Sequence, residues 1–181
     1  MKIKNMLFLT ISYVPWVVYW TISAQLLPYG GLVALIMELC IILCTQRKGG
    51  SYSFMDGLSA VYFGVTIIAY YVFHLNYFLV GDGYFGYGFL FMMSVLSICL
   101  KHPFMKYYVS KDLTQPIVDN SLLEELAKTQ TFIWMGVFFI DTWVFVGIYV
   151  PAIAIVTSNV FVVIGIILSV RNERKLVNGN T

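Results

Sequence analysis

Charge is what this sequence has least of: Lys, Arg, Asp and Glu make up 11% of its 181 residues, against about 25% in an average soluble domain. Too few polar residues remain to coat a water-soluble exterior. Cysteine is sparse as well. Cys40, Cys44 and Cys99 all fall inside apolar runs with no CxxC spacing, which excludes a disulfide framework and a zinc site and leaves them as expected packing residues. No HExxH, P-loop or nucleophile-with-base pattern occurs, so no catalytic residue, metal or cofactor is expected. The string "GDGYFGYG" lacks the strand and helix context of a dinucleotide fingerprint and reads as a turn.

Hydrophobic residues fill the space that charge leaves, at 60% of the chain with a mean hydropathy of +0.82. Six apolar segments can be drawn, 6–28, 31–46, 56–79, 84–100, 126–148 and 152–170, each bounded by Gly, Pro or charge. Most are long enough to cross about 30 Å of hydrocarbon as helices, and none shows the strict alternation of a membrane β-barrel. The expectation is an all-α, polytopic integral membrane protein: one compact domain over 1–181 with about six transmembrane helices. The basic, apolar opening "MKIKNMLFLTISYVPWVVYWTISAQ" mimics a signal peptide, yet Pro15, Trp16, Tyr19 and Trp20 suit a retained, interface-anchored helix better.

The positive charges then set the orientation. Lys2 and Lys4, Arg47 and Lys48, Lys101, Lys106, Lys111 and Lys128, and Arg171, Arg174 and Lys175 all fall on one side if the chain crosses six times. Both termini are therefore expected in the cytoplasm. The opposite side has no Lys or Arg and carries Tyr29, Tyr77, Tyr84, Phe85 and Tyr87, read as an aromatic rim at headgroup level. His74 is expected near that rim, at the far end of the third helix. In the fourth-to-fifth connection, Ser121 and Glu124 have capping-box spacing, and "SLLEELAKTQ" is read as an early start of the fifth helix in preference to a separate surface helix.

Three polar residues interrupt the apolar runs at mid-membrane depth. By helical rise Asp141, Glu38 and Asn159 each lie about 12 to 18 Å from the ends of their segments. A carboxylate there costs about 2.5 to 3.5 kcal/mol or more unless it is buried, neutralised or hydrated. No Lys or Arg shares that depth, so an inward-facing cluster is expected with at least one acid protonated. Such a cluster can bind a proton or cation, or act as interhelical glue through hydrogen bonds to Asn159, Ser158 or a backbone carbonyl. At the cytoplasmic surface, Lys101, His102, Phe104, Lys106, Tyr107 and Lys111 form a basic and aromatic face suited to anionic headgroups or a protein partner, or serve topology alone. A lipid-modifying enzyme would need a polar cleft near His102 and Asp112.

Several motifs also resemble the intracellular septation protein A family of small bacterial inner-membrane proteins. They are "KHPFMKYYVSKDLTQP", the aromatic-rich helix opening "TFIWMGVFFI", the tight "YVP" break, and "YFGVTIIAYYVFHLN" with its Phe-His element. The resemblance implies a multi-pass protein of the bacterial cytoplasmic membrane that supports septation, cell division and envelope integrity. The partners implied are membrane lipids and other inner-membrane or division proteins, with a homo-oligomer as a further arrangement and no nucleic acid. It supplies no catalytic residue, and Glu38 and Asp141 are not part of the shared pattern. A small transporter or channel using those two acids is the alternative expectation.

Overall fold

The computed structural model describes residues 7–23, 26, 29–47, 50, 52–75, 82–112 and 120–179. Seven helices account for most of them: α1 Leu7–Ser23, α2 Tyr29–Arg47, α3 Phe54–Tyr71, α4 Asp82–Cys99, α5 Met105–Asp112, α6 Asn120–Gly147 and α7 Pro151–Gly179. No strand occurs among the described residues. The helices Tyr29–Arg47 and Phe54–Tyr71, the helix Asn120–Gly147 and the stretch Ala152–Lys175 are long and apolar enough to cross a membrane, and Gly83–Cys99 is a shorter apolar helix. Lys2, Lys4, Lys48 and Tyr77, and the side chain of Lys111, lie outside the described residues.

The chain divides into two compact units, 1–85 and 86–181. In the first, α2 packs against both α1 and α3. Its buried positions Gly30, Gly31, Ala34 and Glu38 follow helical spacing along one face, while Ile36, Leu39 and Leu43 point outward. A polar or small inner face with a large apolar outer face reverses the soluble pattern and suits lipid contact. Pro15, inside α1, is buried, and Trp16 and Tyr19 beside it are fully covered by Tyr62 and Phe63 of α3, with ring centroids 4.9 to 5.9 Å apart. The start of α3 is fixed by a capping box: Asp56 N donates to Ser53 Oγ at 2.9 Å and Ser53 N donates to Asp56 Oδ2 at 3.1 Å.

In the second unit α6 packs along α7, and the short α5 packs on α6. The break between α6 and α7 falls at Ile148 to Val150, where the Val150 carbonyl accepts from both Ile153 N and Ala154 N and Pro151 occupies the first helical position, which needs no donor. The inner face of α7 is built of small residues, Ala154, Ser158, Gly165 and Ser169, which let the two backbones approach closely. A Cβ on Gly165 would lie 2.7 Å from Val137 Cγ2. The end of α4 is a Schellman turn: His102 N donates to Ser97 O and Lys101 N to Ile98 O, both at 2.9 Å, around Lys101 in the left-handed conformation at φ 58°.

Several expectations change here. The third helix stops at Tyr71 rather than near 79, because His74 adopts φ 55° and Leu75 N folds back to donate to Ala69 O, so His74 is not on a helix. Hydropathy alone does not record such a stop. Tyr87 is buried rather than part of an aromatic rim, and the three cysteines are exposed rather than packed inside. α6 runs without interruption from Asn120, one residue ahead of Ser121, through the "SLLEELAKTQ" stretch into the apolar run, which makes that stretch the first turns of a single long helix. α7 continues past 170 to Gly179.

Candidate functional site

Among the described residues, each unit holds an acidic side chain with no exposed surface. In the first unit this is Glu38. Helix spacing puts it on the same inner face of α2 as Gly31, which sits against Ile67 and Tyr19, so the antiparallel register brings Glu38 to the level of Ser59 on α3. Glu38 has no exposed surface, and neither carboxyl oxygen has a hydrogen-bond partner. Asp56, one turn nearer the start of α3, is close enough to act on Glu38 electrostatically, and it is itself buried and engaged in the capping box. Ser59 is occupied by Trp16, whose Nε1 donates to Ser59 Oγ at 2.9 Å.

The second unit holds Asp141, again with no exposed surface. Its neighbour across the interface is Ser158 of α7, whose hydroxyl is a hydrogen-bonding group that acts on the carboxyl. The Ser158 hydroxyl also bonds to Tyr87 of α4, donating to its Oη at 2.7 Å. Tyr87 in turn lies on Phe145, with ring centroids 5.6 Å apart, and against Phe138 at 6.5 Å. The carboxyl is therefore bordered on one side by a hydroxyl pair and aromatic rings.

Asn159 does not join this arrangement. It is exposed, and its Nδ2 donates to Ile155 O of its own helix at 2.9 Å. The residue of "TSN" that points inward is Ser158, one position earlier, because the inner face of α7 is set by Ala154, Gly165 and Ser169. Sequence reading named Asn159 for its polarity and its depth, and the phase of the small residues is the signal that would have selected Ser158.

The basic face also divides. Lys101, His102 and Lys106 are exposed and Tyr107 is half-buried, but Phe104 is buried and belongs to the core, together with Met105, Tyr108 and Val109. Helical spacing gives α5 one face for the protein and one for its surroundings. The turn before it is pinned by hydroxyls: Phe104 N donates to Ser97 Oγ at 3.3 Å, and Met105 N to Thr131 Oγ1 at 3.4 Å. Near this corner Glu124 pairs with Lys128 at 3.2 Å, and Lys106 and His102 lie within its electrostatic reach.

No group of three or more His, Cys, Asp or Glu side chains that could hold a metal ion occurs among the described residues. Glu38 and Asp141 each lie within their own helical unit. No protein-family model, curated protein or solved structure matches the chain. The fold and these two sites thus define a class only: an all-helical protein with four membrane-spanning candidates and a buried acid in each unit.

Proposed function

We propose that this chain is a small proton-linked membrane transporter or channel in which Glu38 and Asp141 each take up and release a proton within their own unit. One observation carries the reading. Both side chains are fully buried, neither carboxyl oxygen of Glu38 has a hydrogen-bond partner, and Asp141 faces only the Ser158 hydroxyl across the interface. A glue role would bond those oxygens to Asn159, Ser158 or a backbone carbonyl; Asn159 bonds within its own helix instead, Ser158 stands beside Asp141, and Glu38 has no such partner. Intramembrane acids without a structural partner are suited to relay work.

The reading includes a topology of six crossings in a bacterial cytoplasmic membrane with both termini inside. α1, of 17 residues, and α4, of 18 residues, supply the two crossings beyond the four long candidates, at about 1.5 Å of rise per residue. The test is proton flux into proteoliposomes carrying a pH-sensitive dye and an imposed gradient. Wild type is expected to conduct, and Glu38→Gln or Asp141→Asn to conduct at least about tenfold less while eluting as a folded species, given that removing a relay group blocks transfer. Equal flux from all three proteins, or from empty vesicles, overturns the proposal.

A second reading, support of septation and envelope organisation through lipid and protein contacts, is favoured by the exposed Lys101, His102 and Lys106 on a corner held rigidly by Ser97 and Thr131. It also rests on the resemblance of "KHPFMKYYVSKDLTQP" to a septation family. Loss of partner or lipid recovery in Lys101→Ala/Lys106→Ala, with flux unaltered by Glu38→Gln, selects this reading over the first. Neither assigns a catalytic residue.

A further inference from the structure

Buried polar groups without partners are not scattered through the second unit. Gln130 Oε1 and Trp134 Nε1 of α6, and Ser169 Oγ and Asn172 Nδ2 of α7, all lack hydrogen bonds. Gln130, Trp134 and Ser169 are each at least 96% buried, so bulk solvent does not serve them. Gln130 Nε2 donates to Ser169 O at 2.8 Å, which fixes these two side chains opposite each other. Trp134 is opposite Gly165, and Asp141 is opposite Ser158. This is one continuous antiparallel register, and Gln130, Trp134 and Ser169 lie along it. Extending it one turn brings Asn172 to the end of the interface flanked by the exposed Lys128 and Arg171.

Each such group costs about 1 to 3 kcal/mol if left unmet in an apolar interior, so a run of four is kept only where something polar and small meets them. A buried tryptophan need not be in this state. In the first unit, Trp16 Nε1 has its partner in Ser59. Between Trp134 and Asp141 the lining changes to Val137, which faces Gly165, and the buried Phe138, a length of about 10 Å along the axis whose inward side chains are apolar. Beyond Asp141, Tyr87 and Phe145 close the other side.

We propose that the α6–α7 interface carries a hydrated polar path entered at Asn172, running past Ser169, Gln130 and Trp134, and ending at a dry constriction of Val137, Phe138 and Gly165 behind which Asp141 sits. Water is the ligand of the path, since it is small and can both donate to Gln130 Oε1 and accept from Trp134 Nε1 and Asn172 Nδ2. The path gives the acid a side: water comes within about 10 Å of Asp141 from the cationic end, and exchange with that end requires the constriction at Val137 to open. Its use as a proton route rests on the proton-linked reading above, whereas its hydration does not.

The experiment reads water access through thiol chemistry. In a Cys40→Ser/Cys44→Ser/Cys99→Ser background, single cysteines are placed at Ser169, Gln130, Ser158 and, as an outward apolar control, Ile167, and treated in proteoliposomes with a small charged methanethiosulfonate. Because only the hydrated thiolate reacts, Ser169→Cys and Gln130→Cys are expected to react at least about tenfold faster than Ile167→Cys, with Ser158→Cys as slow as the control. Adding Val137→Ala opens the constriction and raises the Ser158→Cys rate. Ser169→Cys and Gln130→Cys reacting no faster than Ile167→Cys, in proteins that elute as folded species, overturns the proposal, and either position decides alone if the other variant does not fold. Reactive cysteines in a protein that conducts no protons leave the path standing and remove the proton-linked reading; unreactive ones in a conducting protein do the reverse.

Discussion

Ser158 donates its hydroxyl hydrogen to Tyr87 Oη across 2.7 Å and so joins two helices through residues 71 positions apart. Both side chains are buried, and the tyrosine ring is also held against Phe138 and Phe145. Tyr87→Phe keeps that ring packing and removes only the hydroxyl. We expect it to lower stability in detergent by about 0.6 to 1.7 kcal/mol, the range of interhelical hydrogen bonds in membrane proteins. Ser158→Ala in the same background should cost less than it does alone, because its Tyr87 partner has already gone while its contact with Asp141 remains to be lost. A thermal-melt double-mutant cycle reads this directly, and additive losses would show that the two residues act separately.

The Trp16 to Ser59 bond ties α1 to α3 in the first unit, where both residues are buried. Ser59→Ala leaves the indole N–H unmet in an aromatic environment, at an expected cost of about 1 to 3 kcal/mol. Trp16→Phe/Ser59→Ala removes donor and acceptor together. The double variant should lose less than the sum of the single losses, measured by melting temperature.

Two glycines should respond in opposite ways. A Cβ on Gly30 would lie 2.7 Å from Ser23 N and 2.8 Å from Tyr19 O, and would also meet Ser23 Oγ, so α1 and α2 must separate to admit it. Nothing lies within 4 Å of the same atom on Gly64. Gly30→Ala is expected to cost about 1 to 3 kcal/mol through overpacking. Gly64→Ala is expected to be neutral or to stabilise by up to about 1 kcal/mol through helix propensity. Comparing their yields and melting temperatures checks both directions at once.

Lys101 occupies the left-handed position of the Schellman turn that ends α4, a site where glycine carries no steric cost. Lys101→Gly should therefore raise stability by up to about 1 kcal/mol, typical of the left-handed penalty for a residue with a Cβ. Lys101→Ala, which keeps the Cβ, should not.

These particulars show which parts of the molecule can be read from its residues. The helical class and the long apolar segments follow from composition and run length, and the depth of Glu38 and Asp141 follows from counting rise. Both acids also have no exposed surface. What counting cannot supply is rotation about each helix axis. Asn159 and Ser158 share a depth and differ by about 100° of rotation, and only the phase of Ala154, Gly165 and Ser169 distinguishes them. The same ambiguity placed Phe104 with Lys106 on the surface, although the two lie on opposite faces of the turn into α5.

Helix ends were the other hidden quantity. The stop at Tyr71 depends on a left-handed His74 and one backbone hydrogen bond from Leu75, within a stretch whose hydropathy continues unbroken. The start of α3 was legible in principle, because Ser53 and Asp56 have capping spacing just ahead of an apolar run. Trp134 and Gln130 gave no signal at all, since an apolar helix opening with one tryptophan reads as packing until its partners are known to be missing.

The central claim is that Glu38 and Asp141 bind and release protons while buried, and infrared difference spectroscopy between acidic and alkaline buffer observes this without a transported substrate. The account predicts a protonated-carboxyl band that disappears on raising pH, weakened in Glu38→Gln, weakened in Asp141→Asn, and absent from the double variant. A double variant whose difference spectrum matches wild type would contradict it.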